Sequence, residues 1–169
     1  ENAIRSIIEE REKNGKFKDV YDFFERVNLN TCNRKNLECL IKAGAFDGFE
    51  GICREQYFVP NERNVTFLEI LVSFGQRYQI DRQEAEASIF GDFDAVEIKK
   101  PDPPTSYNTW SDMERLSKER ELISVYISGH PLDDYRLVLD HICNIKMDQI
   151  EQLEERMNQV VFFGGIVTG

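Results

Sequence analysis

Apolar positions along this chain recur mostly at the spacing of helix faces. Ala3, Ile4, Ile7 and Ile8 form one such stripe, with Glu9, Glu10 and Glu12 alternating with Arg11 and Lys13 on the wet side, and Asn14-Gly15 stops the run. This predicts a first helix over about residues 2–13. The stretch DVYDFFERV predicts a short second helix, with Asp19 as N-cap and Val20, Phe23, Phe24 and Val27 inward. Asn33 caps a third, which buries Leu37, Leu40 and Ile41 and ends at Gly44 in the C′ position. REQYF suits one or two further turns. Residues 62–88 suit a long helix with Val65, Leu68, Leu71, Val72 and Tyr78 on one face and Gly75 as a weak point in its middle.

The periodicity then lapses. From Phe90 to Asn108 the chain carries three prolines and little pattern, which predicts a linker or extended loop. Helix returns in TWSDMERLSKERELISVYI, capped by Ser111 or Thr109, with Trp110, Met113, Leu116 and Leu122 packing. SGHPLDDY reads as a turn, Pro131 opens a short helix through Leu139, and MDQIEQLEERM is the last helix. Val160 to Val167 has the look of a strand.

Composition changes this picture in two ways. With 169 residues, 41% of them hydrophobic and 31% charged, the chain is long enough for one good core or two small ones. It carries no 18-residue apolar run and no signal or transit pattern, so the expectation is a cytoplasmic protein without a membrane segment. A first residue that is Glu and a last stretch QVVFFGGIVTG read as a piece of something larger. The net charge of −10 is uneven: residues 1–64 hold 11 Lys/Arg against 12 Asp/Glu, and the remainder 10 against 19. A near-neutral first half remains able to hold a phosphate backbone through converging side chains or backbone amides.

Catalytic and metal chemistry find little support. Cys32, Cys39, Cys53 and Cys143 form no CxxC pair, and His130, His141 and Cys143 do not match zinc-ligand spacings, so reduced, part-buried thiols are expected. Asp92 and Asp94 form an Asp-x-Asp pair of the kind that holds magnesium, but with no neighbouring strand to fix it. His130 with Asp133 lacks a nucleophile to serve, and reads as part of a turn.

LECLIKAGAFDGF, residues 37–49, is the stretch that invites a function. A helix that ends in small residues and leads to another helix is a helix-hairpin-helix layout, in which amides at the turn face a phosphate. A plain glycine cap gives the same pattern. On the phosphate reading Ala43, Gly44 and Ala45 contact DNA through their amides, Lys42 assists, and Arg34, Lys35 and Arg54 are neighbours.

Wider strings carry a family resemblance. Ile7-Ile8 with Arg11, Gly15 with Phe17, Asp22-Phe23, Arg26-Val27 and the run Leu40 to Asp47 resemble the segment after the fingers domain in the alpha subunits of bacterial DNA polymerase III. ERLSKERELISVYISGHPLDDY, residues 114–135, resembles that family's Tyr-x-Ser-Gly-His-Pro-Leu-Asp signature. The resemblance implies a mainly α chain: a tandem helix-hairpin-helix domain over 1–64 with its first hairpin truncated, a helix over 65–90, a proline-containing linker over 91–108, a helical connector over 109–158, and over 159–169 the first strand of a truncated oligonucleotide-binding fold.

It further implies a non-catalytic piece of a DNA-directed polymerase, needing no cofactor of its own, with magnesium belonging to an absent palm domain. Its expected partners are double-stranded DNA, the sliding clamp and other replicase subunits. Within that family a clamp-binding element occupies the interval where Glu86, Ala87, Ser88, Ile89 and Phe90 stand here. Ile89 and Phe90 supply apolar anchors, while Glu86 lacks the donors of the usual glutamine amide. Two readings stay open: a duplex-binding and clamp-tethering region, or a protein-interaction scaffold that presents residues 86–90 without touching DNA. The same five residues also suit a helix end packed into its own core.

Overall fold

In a computed structural model describing residues 2–87, 98–146 and 159–167, the helices follow the predicted order closely. They are α1 (Asn2–Asn14), α2 (Val20–Arg26), α3 (Arg34–Lys42), a 3-10 helix (Arg54–Phe58), α4 (Phe67–Ala87), α5 (Asp112–Ile123), a 3-10 turn (Asp133–Tyr135) and α6 (Arg136–His141). The chain divides into two compact units, Glu1–Trp110 and Ser111–Gly169.

In the first unit α2, α3 and α4 each start for a chemical cause. The Asp19 carboxylate accepts from the Asp22 amide at 2.7 Å and opens α2, and Asn33 accepts from the Asn36 amide at 3.0 Å and opens α3. The long helix α4 begins at Phe67 rather than 62. Residues 60–66 make a tight turn closed by a single antiparallel bridge between Pro60 and Thr66, with the Asn61 side chain accepting from the Arg63 and Val65 amides. Thr66 and Glu69 then form a reciprocal cap, the Glu69 carboxylate accepting from the Thr66 amide at 2.7 Å.

The core of this unit joins Phe23, Phe24, Leu37, Ile41, Phe46, Tyr57, Leu68 and Leu71. The aromatic rings meet edge to face, Phe46 lying 4.9 Å from Phe23 and 5.7 Å from Tyr57. Gly75 is no weak point but a close-approach site. A Cβ there would stand 2.4 Å from the Phe24 carbonyl oxygen, so only glycine lets α4 lie against the end of α2. One turn on, Gln79 donates to the Phe24 and Val27 carbonyls, closing α2 from outside. Along α1 only part of the predicted stripe is covered. Ile4 and Ile8 are 54% and 48% exposed and, with Ile7, Phe17, Leu40 and Phe49, line an apolar groove of about 330 Å³.

Of the stretch expected as a linker or extended loop over 91–108, residues 98–108 are described. Residues 98–110 run as an extended strap bound to the first unit. Tyr21 Oη donates to the Pro101 carbonyl (2.7 Å), Gln56 Nε2 donates to the Pro104 carbonyl (2.7 Å), and the Trp110 amide donates to Glu55 Oε1 (3.0 Å). Ile98 packs on the core, and Trp110 stacks on Phe58 instead of joining α5.

The second unit is held differently. Ser111 caps α5 in a reciprocal box with Glu114, as expected, and Ser124, at φ 64°, ends it. Leu116 is buried there, but Met113 and Leu122 are not. Glu119 is fully buried and accepts from the amides of Ile127 (3.0 Å) and Ser128 (2.9 Å) and from the Ser128 hydroxyl. His130 and Asp133 serve the same turn: the Asp133 carboxylate accepts from the His130 amide (2.7 Å), and His130 Nδ1 from the Leu132 amide (3.2 Å). The segment after Pro131 winds into the 3-10 turn before α6 begins at Arg136. The helix predicted over 147–157 lies outside the described residues. Among the described residues, 159–167 form no strand pairing; Asn144 holds them, its amide donating to the Phe162 carbonyl and its side chain accepting from the Phe162 amide.

Candidate nucleic-acid interface

The turn after α3 closes as a Schellman motif. The Ala43 amide donates to Cys39, the Gly44 amide to Ile41 and the Ala45 amide to Leu40, each at 2.9 Å, with Gly44 at φ 85°. All three amides assigned to phosphate are therefore engaged in ending the helix. A phosphate would have to compete with the carbonyls of Cys39, Leu40 and Ile41 for the three amides expected to contact DNA.

Arg54, expected as a neighbour of DNA, is turned inward. It is only 7% exposed, its Nε donates to both Asp47 carboxylate oxygens (2.7 and 3.0 Å), and its Nη1 to the Lys42 carbonyl (3.3 Å). It also explains the smallness of the turn. A Cβ on Gly44 would lie 2.2 Å from Arg54 Nη2, so Gly44 clears room for the buried guanidinium of an ion pair whose Asp47 partner is half exposed.

The other candidates spread over α3. Lys42 sits at its last turn with Nζ 5.5 Å from the centre of the Phe58 ring. Arg34 and Lys35 are exposed at its first turn. Arg34 is paired with Glu38 at 2.7 Å and with Glu69, and these carboxylates hold its guanidinium above its ordinary pKa. Lys35 has no ion-pair partner among the described residues.

What the sequence reading missed is the connection between α2 and α3. Over residues 27–33 the Asn28 side chain accepts from the Asn30 and Thr31 amides, and the Asn28 carbonyl accepts from the Cys32 amide (2.8 Å). Cys32 Sγ in turn lies 3.5 Å from the Ala3 carbonyl oxygen, tying this loop to the first turn of α1. The N-terminal ends of α1 and α3 thus meet around a shallow polar recess lined by Asn2, Ala3, Asn30, Thr31 and Asn36. The available signal was the run Asn28, Asn30, Asn33, whose side chains are built to close loops and cap helices.

Of the clamp candidates, Glu86 is exposed and paired with Arg82 (2.9 Å), and Ala87 is the last residue of α4. Ser88, Ile89 and Phe90 lie outside the described residues, as do Asp92 and Asp94. Among the described residues no group of three or more His, Cys, Asp or Glu side chains is placed to hold a metal ion, and no helix is long and apolar enough to cross a membrane.

Two helices joined by a tied loop, with helix N-termini at one end, match what comparison with known proteins finds. Residues 1–57 match the family model of the helix-hairpin-helix motif. DNA polymerase III subunit alpha of Deinococcus radiodurans is 40% identical over 136 residues, 80% of this chain, and that of Treponema pallidum 32% identical over 151 residues, 89% of it. The chain belongs to the DNA polymerase III alpha subunit family. Mycobacterium leprae supplies another such subunit, 35% identical over 133 residues. The match spans 10% of the Deinococcus and Mycobacterium alpha subunits and 12% of the Treponema one, so this is one region of a replicative polymerase lineage.

Proposed function

We propose that the first unit holds duplex DNA by its phosphate backbone, at the end where α1 and α3 present their N-termini. The observation that carries this reading is the polar recess at Asn2, Ala3, Asn30, Thr31 and Asn36, within the stretch that matches the helix-hairpin-helix motif and beside exposed Arg34 and Lys35. Helix N-termini offer unsatisfied N–H groups and positive potential to an anion, and Lys35 adds a mobile charge. Lys42, at the other end of α3, is a flanking contact at most.

In this proposal the region supports template-directed synthesis by a longer DNA-directed polymerase whose palm carries the magnesium chemistry, in the cytoplasm. Residues 86–90 tether the sliding clamp, other replicase subunits bind the same polypeptide, and residues 159–169 begin an oligonucleotide-binding barrel. The exposed position of Glu86 in the last turn of α4 favours the clamp role, since its side chain is accessible to a partner. A scaffold without DNA contact is favoured by different observations: Arg34 is already paired, and the turn amides are engaged.

Titrating duplex DNA at several salt concentrations separates the two readings. Phosphate contacts give a linear fall of log affinity with log salt, and a Lys35→Glu variant is expected to reduce that slope by roughly one contact or more. Lys42→Ala is expected to matter less. Absence of salt-dependent binding, or a Lys35→Glu variant that binds as the parent does, overturns the assignment in favour of the scaffold.

A further inference from the structure

We propose that the face of the first unit built by Asp19, Tyr21, Glu55, Gln56 and Phe58 is a groove for an extended, proline-containing peptide, that the chain's own strap occupies it in cis, and that this occupancy is reversible. The division of chemistry across the contact argues for it. The strap contributes main-chain groups, the Pro101 and Pro104 carbonyls and the Trp110 amide. The face contributes side chains that read them, the Tyr21 hydroxyl, the Gln56 amide and the Glu55 carboxylate. Reading a guest's backbone by fixed side chains beside aromatic rings, with prolines keeping the guest extended, is how peptide grooves work.

Pro101, Pro103 and Pro104 hold the strap in that form before it docks, which lowers the ordering cost. Lys100 clasps the same face, its Nζ 3.4 Å from Asp19 and 5.0 Å from the centre of the Tyr21 ring.

The contact is also of a kind that lets go. Its hydrogen bonds connect polar groups that water can satisfy once the strap leaves, so each contributes only the small net difference between protein and water partners. The fully buried apolar core around Phe24, Leu37 and Leu71 stays closed, since none of those side chains depends on residues 99–110 for its helix. Ile98 packs on that core and roots the strap. Release from Lys99 to Trp110 therefore adds up to roughly 40 Å of tether between the first unit's core and Ser111, at the usual rise of an extended chain.

Native-state hydrogen exchange on the full chain tests this, with Trp110, the chain's one tryptophan, as a second probe through its quenching by acrylamide. The Trp110 amide, bonded to Glu55, is expected to exchange through an opening much less dependent on denaturant than that of α2 and α4. A Tyr21→Phe, Lys100→Ala variant is expected to speed its exchange by roughly tenfold and to raise Trp110 quenching, with α2 and α4 unchanged. Three results each overturn the proposal: a Trp110 amide that exchanges only with global unfolding, a folded variant in which it exchanges at the parent's rate, or a variant in which α2 and α4 lose protection together with it.

Discussion

Glu1–Trp110 closes around Phe23, Phe24, Phe46, Tyr57 and the apolar face of α4, whereas Ser111–Gly169 buries Leu116 and Ile145 among its described residues. Val125, Ile127, Leu137, Phe162, Phe163 and Val167 of the second unit stand in solvent. What organises that unit is a polar device, the Glu119 carboxylate gathering the Ile127–Ser128 turn. The difference teaches that two helical stretches of similar composition fold on different principles. One excludes water from rings, and the other pins a turn whose exposed amides would otherwise bond to water. Losing a ring from the apolar core is felt through the whole unit, because the cavity relaxes only partly, while losing the carboxylate is felt at the one turn it pins.

The sharpest way to break the comparison is to hollow the first unit. Phe46→Ala removes a ring that meets Phe23, Phe49 and Tyr57 and is expected to cost about 3–5 kcal/mol in the unfolding transition of Glu1–Trp110. Denaturant melts followed by near-ultraviolet dichroism measure it, and amide spectra of residues 112–146 should stay as in the parent. Should those spectra collapse too, the two units do not fold on separate terms.

Glu119→Ala is the converse. It removes the charged acceptor of the Ile127 and Ser128 amides, at a cost of roughly 1.5–3 kcal/mol for hydrogen bonds to a charged group, so hydrogen exchange there should accelerate while the melting of the first unit holds. A variant with unchanged protection at Ile127 and Ser128 would remove Glu119 from its role as pin.

The smallest expected effect concerns acid. Burial tends to raise the Glu10 carboxyl's pKa, but hydrogen bonds from Asn14 and Arg26, with the charge of Arg26, outweigh it and hold the group below its ordinary value. A carboxylate depressed in the folded state contributes stability above its unfolded pKa, about 4.3, and that contribution is lost as pH falls through the folded value. Glu25 runs the other way. Burial raises its pKa against the pull of Lys100, so its contribution is present at low pH and lost as pH rises. Glu10→Gln is accordingly expected to flatten the acid limb of the first unit's stability curve below about pH 5, and Glu25→Gln to steepen it, read by thermal melts in a pH series.

Much of the fold was legible in the sequence because its causes are local. Asp19, Asn33 and Ser111 open their helices through contacts three residues away, and the φ of Gly44 follows from its place after α3. The Thr66–Glu69 box was equally local, yet the apolar count ran past it to residue 62, because Val65 suits either side of the boundary. What was hidden depends on groups far apart in the chain. Nothing near Arg54 in sequence distinguishes it from a surface cation, since its burial comes from Asp47 and the carbonyl of Lys42. The strap reads as a linker because its partners, Tyr21, Glu55 and Gln56, lie 48 to 80 residues away. The site suffered most from this. Small residues in a turn look alike whether they approach a phosphate or a guanidinium.

The clearance between Gly44 and Arg54 makes these two positions a steric couple with unequal freedom. Shortening Arg54 would open the space above Gly44, yet the φ of 85° would still admit little beyond glycine or asparagine. Enlarging residue 44 has no such allowance, because it must expel a buried guanidinium from its carboxylate. Substitutions along this lineage should therefore be permitted in one order only, with position 54 changing first and position 44, if at all, afterwards.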